Sequence, residues 1–342
     1  MHLSPGKLWG LRRMADAQGR FKMTAVDQRP PIMNPVRAAR GLAEAPYDDV
    51  LGVKLMLIEE LQGESSAMLL DPHFALPKGM ALLNPAKGLV VTLEDAQFTL
   101  TPDGRLSRQI DDWSVEKIKR CGADAVKVLA WYRPDAAKAL CQAQQDLVQK
   151  IGEDCARFDI PFLFELLVYA LPGEAEADKD YVEIHSKHAG HVLESVRTFA
   201  DAKFGIDIFK LESPVPAAKV TAAANAQALF DELGRLAARP WVMLSAGAGM
   251  DDFETILKHA YQAGASGYLA GRAIWAGPFA AFPDWQAMRA GLRTQSVPYM
   301  RRINALTDAQ AKPWTRHPKF AEGVGLAHAD ASFRHHYQGF GQ

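Results

Sequence analysis

The chain has 342 residues, 48% hydrophobic and 23% charged, enough to bury a large core as two domains or as one α/β barrel. Its 39 basic and 40 acidic side chains leave a net charge of −1, which offers no footprint for nucleic acid or an anionic membrane and favours small-molecule work. Cys121, Cys141 and Cys155 suggest neither a disulfide framework nor a zinc site, no apolar stretch reaches membrane-spanning length, and Met1 to Gln18 has no signal-type block, so a cytoplasmic protein with reduced cysteines is expected.

Short apolar strands alternate with longer helical patterns along the chain. The predicted strands are Lys22–Gln28, Ala67–Asp71, Gly88–Leu93, Ala125–Trp131, Pro161–Tyr169, Ile208–Glu212, Trp241–Ser245 and Gly267–Gly271. Helical stretches fall at Pro35–Gln62, Ser114–Cys121, Ala136–Phe158, His188–Phe204, Ala217–Ala238 and Asp251–Ala263. This alternation predicts a single-domain (β/α)8 TIM barrel over residues 1–311, with a doubly wound sheet as the alternative. Residues 312–342 read as a C-terminal extension, a surface-packing or oligomer-contact arm. Its His317, His328, His335 and His336 lack metal-ligand spacing, so no metal is expected. The loop from Leu171 to Lys187 is acidic.

In a barrel the catalytic groups sit at the C-terminal ends of the strands. Lys210 lies in the apolar run Ile206 to Pro214, where desolvation favours the free amine that attacks a carbonyl. Strand periodicity puts Lys127 on the inward face with Ala125, Leu129 and Trp131, and turns Glu165 inward on the next strand. Two lysines and a glutamate on three successive strands predict a site. There Lys127 supplies positive charge, Glu165 moves protons and Lys210 is the nucleophile; a purely structural ion-pair network is the alternative.

Asp27 and Arg29, at the end of the first strand, would bind substrate hydroxyls or Lys127 and an anion respectively. Asp71, before Pro72, reads as a helix or turn cap, with a place in the site as the alternative. The loops Ser245-Ala246-Gly247-Ala248-Gly249 and Gly271-Arg272 follow the last two strands, where barrels commonly form a phosphate site.

The segments Thr24–Arg29, Leu69–Pro77, Asp124–Leu129, Asp207–Glu212 and Leu269–Trp275, with the run Asp103 to Ser114, resemble the tagatose 1,6-bisphosphate aldolase family over roughly residues 8 to 290. The resemblance implies a class I aldolase without metal or cofactor, cleaving a ketose bisphosphate to dihydroxyacetone phosphate and glyceraldehyde 3-phosphate. It makes Lys210 the Schiff-base lysine, Glu165 the acid/base and Lys127 the second lysine, with Asp27, Gln28, Arg29, Gly271 and Arg272 at substrate-binding positions; Ser245 and Gly247 would join the phosphate grip. A related aldolase acts on 6-deoxy-6-sulfofructose 1-phosphate, which is a second substrate expectation. A non-catalytic sugar-phosphate sensor is the reading from another class.

Overall fold

The computed structural model describes residues 2–175, 177 and 188–339. Most of the acidic loop 171–187 lies outside them. Eight parallel strands form a closed barrel: β1 (Phe21–Ala25), β2 (Ala67–Leu70), β3 (Gly88–Thr92), β4 (Ala125–Trp131), β5 (Phe162–Leu167), β6 (Ile208–Leu211), β7 (Trp241–Met243) and β8 (Gly267–Ala270). They pair in chain order, and β8 closes on β1 through Leu269 opposite Met23.

Alternation along each strand divides two cores, because successive side chains leave opposite faces of the sheet. Met23, Ala25, Leu69, Val90, Ala125, Leu163, Ile208, Val242 and Leu269 form the apolar filling of the barrel. Their neighbours Val126, Val128, Phe164 and Phe209 meet the surrounding helices in a separate cluster. The inner side chains turn polar toward the C-terminal mouth, where Thr92, Lys127, Glu165 and Lys210 take over the same face.

The opposite mouth is plugged. Leu11 and Met14 of the helix Pro5–Met14 pack against the inner filling together with Trp314 and Phe320 from the end of the chain. Residues 312–342 read as weakly periodic without a clean strand, yet Gly325–Leu326 pairs in parallel with His2–Leu3. Asp159 accepts the Gly6 N–H at 2.7 Å and the Tyr337 hydroxyl at 2.8 Å, tying both ends of the chain to one loop.

Several helices differ from the sequence expectation for identifiable reasons. The span Pro35–Gln62 is two helices, Pro30–Arg40 and Tyr47–Leu61, because Gly41 adopts a left-handed φ of 66° and ends the first. After β6, regular helix begins only at Ala226 and runs to Ala237. The helix after β5 stops at Phe199, followed by a 3-10 turn at Ala202–Phe204. Residues 272–311 carry three helices without a sequence expectation, Arg272–Phe279, Trp285–Gly291 and Val297–Gln310; Pro278, Pro283 and Pro298 interrupt the apolar period there. No helix among the described residues is long and apolar enough to cross a membrane.

Candidate active site

The C-terminal mouth holds one cavity lined by Asp27, Gln28, Arg29, Lys127, Glu165, Lys210, Ser245, Gly271 and Arg272, with Glu94 among them. Register brings the lysines and glutamate together: Glu165 lies opposite Lys210, and Lys127 opposite Thr92. Side chains directly opposite on neighbouring strands are within bonding reach for long residues.

The two lysines have different surroundings. Lys127 Nζ lies 2.6 Å from Glu94 Oε1, 2.9 Å from Glu165 Oε2 and 3.0 Å from Asp27 Oδ2. An ammonium has three N–H donors, so this group is fully engaged. Lys210 Nζ has a single partner among the described residues, Glu165 Oε2 at 2.9 Å. Glu165 thus bridges both amines through one oxygen. Burial works against charge on Lys127, but Asp27, Glu165 and Glu94 outweigh it and hold the group well above the ordinary lysine value. Burial alone would raise Asp27; Lys127, Lys210 and Arg29 reverse that and hold it at about 2. Glu165 is likewise lowered, with burial overcome by the two lysines.

Glu94 has no counterpart in the sequence expectation. It continues the inward parity of Val90 and Thr92 one step past the end of β3, so the same period-2 rule would have reached it. The Thr92 hydroxyl donates to Glu94 Oε2 at 2.5 Å and orients its carboxylate. Arg29 Nη1 donates to the Glu94 carbonyl at 2.9 Å, and its Nη2 lies 3.6 Å from Glu94 Oε1. Asp71, read as a cap, accepts the Phe74 N–H at 2.9 Å and also pairs with buried Lys54, away from the cavity lining.

The cavity lining also includes a cation without a carboxylate partner among the described residues. Arg272 has no hydrogen bond or ion pair among the described residues, while burial draws it below the ordinary guanidinium value against the pull of Glu165 and Asp27. Gly247, at φ 87°, does not line the cavity; it backs the guanidinium, and an added Cβ would sit 3.4 Å from Arg272 Nη1. Gly271 is confined by sterics, since a Cβ would lie 2.6 Å from Gln28 Nε2 and 2.8 Å from the Ala25 carbonyl. A guanidinium with free donors beside a glycine-opened backbone suits an anion. Among the described residues no group of His, Cys, Asp or Glu is arranged to hold a metal ion.

The model of the DeoC/LacD family aldolases matches residues 22–277. Tagatose 1,6-diphosphate aldolase of Lactococcus lactis is 31% identical, covering 92% of this chain and 99% of its own length. The enzyme of that name from Streptococcus pneumoniae is 33% identical with the same coverage. Among solved structures, a Schiff-base-forming fructose-1,6-bisphosphate aldolase superposes with a TM-score of 0.57 at 16% identity, covering 87% of this chain and 98% of that one. Fructose-bisphosphate aldolase from Plasmodium falciparum gives 0.65 at 13% identity over 91% and 98%. At such identities the structures speak for the shared barrel. Fold and relatives together make this protein a carbon–carbon lyase on a (β/α)8 scaffold. It belongs to the DeoC/LacD aldolase family.

Proposed function

We propose that the protein is a class I aldolase that cleaves tagatose 1,6-bisphosphate to dihydroxyacetone phosphate and glyceraldehyde 3-phosphate through an iminium on Lys210. The observation that carries this reading is the unequal treatment of the two lysines: Lys127 spends its donors on three carboxylates, whereas Lys210 has only Glu165 among the described residues. That sets the Lys210 amine beside an acid/base group at the cavity wall, placed to attack a carbonyl.

The steps follow from that arrangement. Lys210 Nζ adds to the C2 ketone of the substrate, and Glu165 shuttles the protons by which the carbinolamine loses water to give the iminium. Glu165 as carboxylate then takes the C4 hydroxyl proton while the C3–C4 bond breaks, its electron pair flowing into the iminium to leave an enamine and free glyceraldehyde 3-phosphate. A proton returned from Glu165 to C3 regenerates the iminium, and water releases dihydroxyacetone phosphate and the amine. Lys127 stays an ammonium throughout, orienting Glu165 and Asp27 and offsetting charge on the substrate hydroxyls. Arg272, backed by Gly247, takes one phosphate together with Ser245 and Gly271; Arg29 and Gln28 face the other end. A phosphorylated substrate and three free cysteines suit a cytoplasmic enzyme.

Borohydride trapping tests the reading. The protein is incubated with tagatose 1,6-bisphosphate, fructose 1,6-bisphosphate or 6-deoxy-6-sulfofructose 1-phosphate, reduced, digested and analysed by mass spectrometry. An adduct on Lys210, fastest with the tagatose ester, is expected. Failure to trap Lys210 with any of the three would refute the iminium mechanism, and preference for the sulfonated sugar would reassign the substrate.

A further inference from the structure

Behind the strand end that carries Asp27 lies an ion pair that the steps above leave unused. Lys54, from the helix Tyr47–Leu61, pairs with Asp71, just past β2, and neither side chain has any solvent exposure. Around Lys54 the buried face of that helix is Val50, Leu51, Val53, Leu57, Ile58 and Leu61. A buried ion pair rarely exceeds well-packed apolar side chains of equal volume in stability, so packing alone does not account for this one.

Its geometry points at the site. Lys54 Nζ donates to the Val26 carbonyl at 2.8 Å. The β1 strand ends at Ala25; the Val26 N–H still reaches Leu69 O at 2.9 Å, but its carbonyl is held by Lys54. One residue earlier, the Ala25 carbonyl accepts the Trp275 indole N–H at 3.0 Å. The two peptide units before Asp27 are therefore clamped, one by an ammonium and one by an indole. From this anchored backbone Asp27 reaches Lys127 at 3.0 Å and Arg29 reaches the Glu94 carbonyl at 2.9 Å. Burial draws Lys54 below the ordinary lysine value, Asp71 opposes that and holds the group in place, and its other oxygen accepts the Phe74 N–H at 2.9 Å.

We propose that Lys54 and Asp71 are a positioning pair for the aldolase reaction: by fixing the Val26 carbonyl they set the backbone from which Asp27 holds Lys127. The proposal rests on the reading of Asp27, Lys127 and Lys210 as the reacting site. Substitution by Lys54→Met with Asp71→Asn removes both charges together, leaves an unbranched chain that lacks the terminal donor atom, and retains an oxygen for the Phe74 N–H. The expected result is a borohydride adduct on Lys210 as in the native protein, an unfolding temperature within a few degrees of native, and a kcat lowered about 10- to 100-fold, the scale of a misplacement on the order of 1 Å. KM should change far less.

A double-mutant cycle separates positioning from general packing. Asp27→Asn should cost much less in the Lys54→Met/Asp71→Asn background than in the native one, because the contact is already misaligned. Lys54→Gln with Asp71→Asn retains a neutral donor and should recover part of the lost kcat. Native kcat in the Met variant, or fully additive losses with Asp27→Asn, would overturn the proposal. If the Met variant does not fold, the cycle is run on the Gln variant with the same criterion. An adduct on Lys210 alongside unchanged kcat defeats only this proposal; no adduct in the native protein defeats the iminium reading and this proposal with it.

Discussion

Lys127→Met removes the one cation that three buried carboxylates share. Glu165 keeps Lys210 at 2.9 Å and Glu94 keeps Arg29 at 3.6 Å, so Asp27 loses the most. Deleting one partner of a buried ion pair costs about 3–5 kcal/mol. A 342-residue chain unfolds with an entropy of roughly 0.7 kcal/mol/K, so the unfolding temperature should fall by about 4–7 °C at neutral pH. The pH dependence carries the sharper signature. In the native protein Asp27 moves from an ordinary 3.8 to about 2, so it contributes stability on the order of 2 kcal/mol that is complete above pH 3.8 and lost as pH falls through about 2. In the variant burial is opposed by Lys210 and Arg29 alone, with both the charge and the hydrogen bond of Lys127 gone, and the Asp27 carboxyl is expected to rise above its ordinary value. The folded state then binds more protons than the unfolded one, and stability declines as pH rises. Scanning calorimetry at pH 5 and pH 8 should show a smaller deficit at pH 5. An equal deficit at both values, or a native unfolding temperature at pH 8, would show that Lys127 does not hold this cluster together.

Other expectations follow from the same geometry. Lys210→Met should abolish the borohydride adduct and lower turnover on the order of 10⁶-fold, as for nucleophiles elsewhere, while circular dichroism stays native because Lys127 still partners Glu165. Glu165→Gln should lower kcat by about 10²- to 10⁴-fold and flatten the acid limb of the pH–rate profile. Arg272→Ala removes charge-assisted bonds to an anion, so kcat/KM for a phosphorylated ketose should drop about 10- to 150-fold, with little change on the dephosphorylated sugar. Gly247→Ala places a Cβ 3.4 Å from Arg272 Nη1 at a φ of 87°, and should both destabilise the fold by about 1–2 kcal/mol and raise the KM for that phosphorylated ketose. EDTA should leave turnover unchanged in a steady-state assay.

The barrel was legible because its strands obey one local rule. Period-2 alternation placed Lys127, Glu165 and Lys210 on a common face, and the register of β4, β5 and β6 does bring them together. Glu94 escaped only because the predicted strand stopped at Leu93, one residue short of the next inward position. Other features had no local signal. That Arg272 has no partner among the described residues depends on what eight strands fail to bring near it, and the Lys54–Asp71 pair joins a helix to the strand after it. The break at Gly41 was masked by helix-favouring Leu42, Ala43, Glu44 and Ala45, since a left-handed glycine outranks their propensity.

The pairing of His2–Leu3 with Gly325–Leu326, and of Asp159 with both Gly6 and Tyr337, acts as a clasp between the first and last parts of the chain. The opening helix and the last segment thus build the floor jointly, with Leu11 and Met14 in one cluster with Trp314 and Phe320. Premature termination after the helix Val297–Gln310 would therefore leave every site residue in the chain but its underside greasy and open, a natural handle for quality-control proteases.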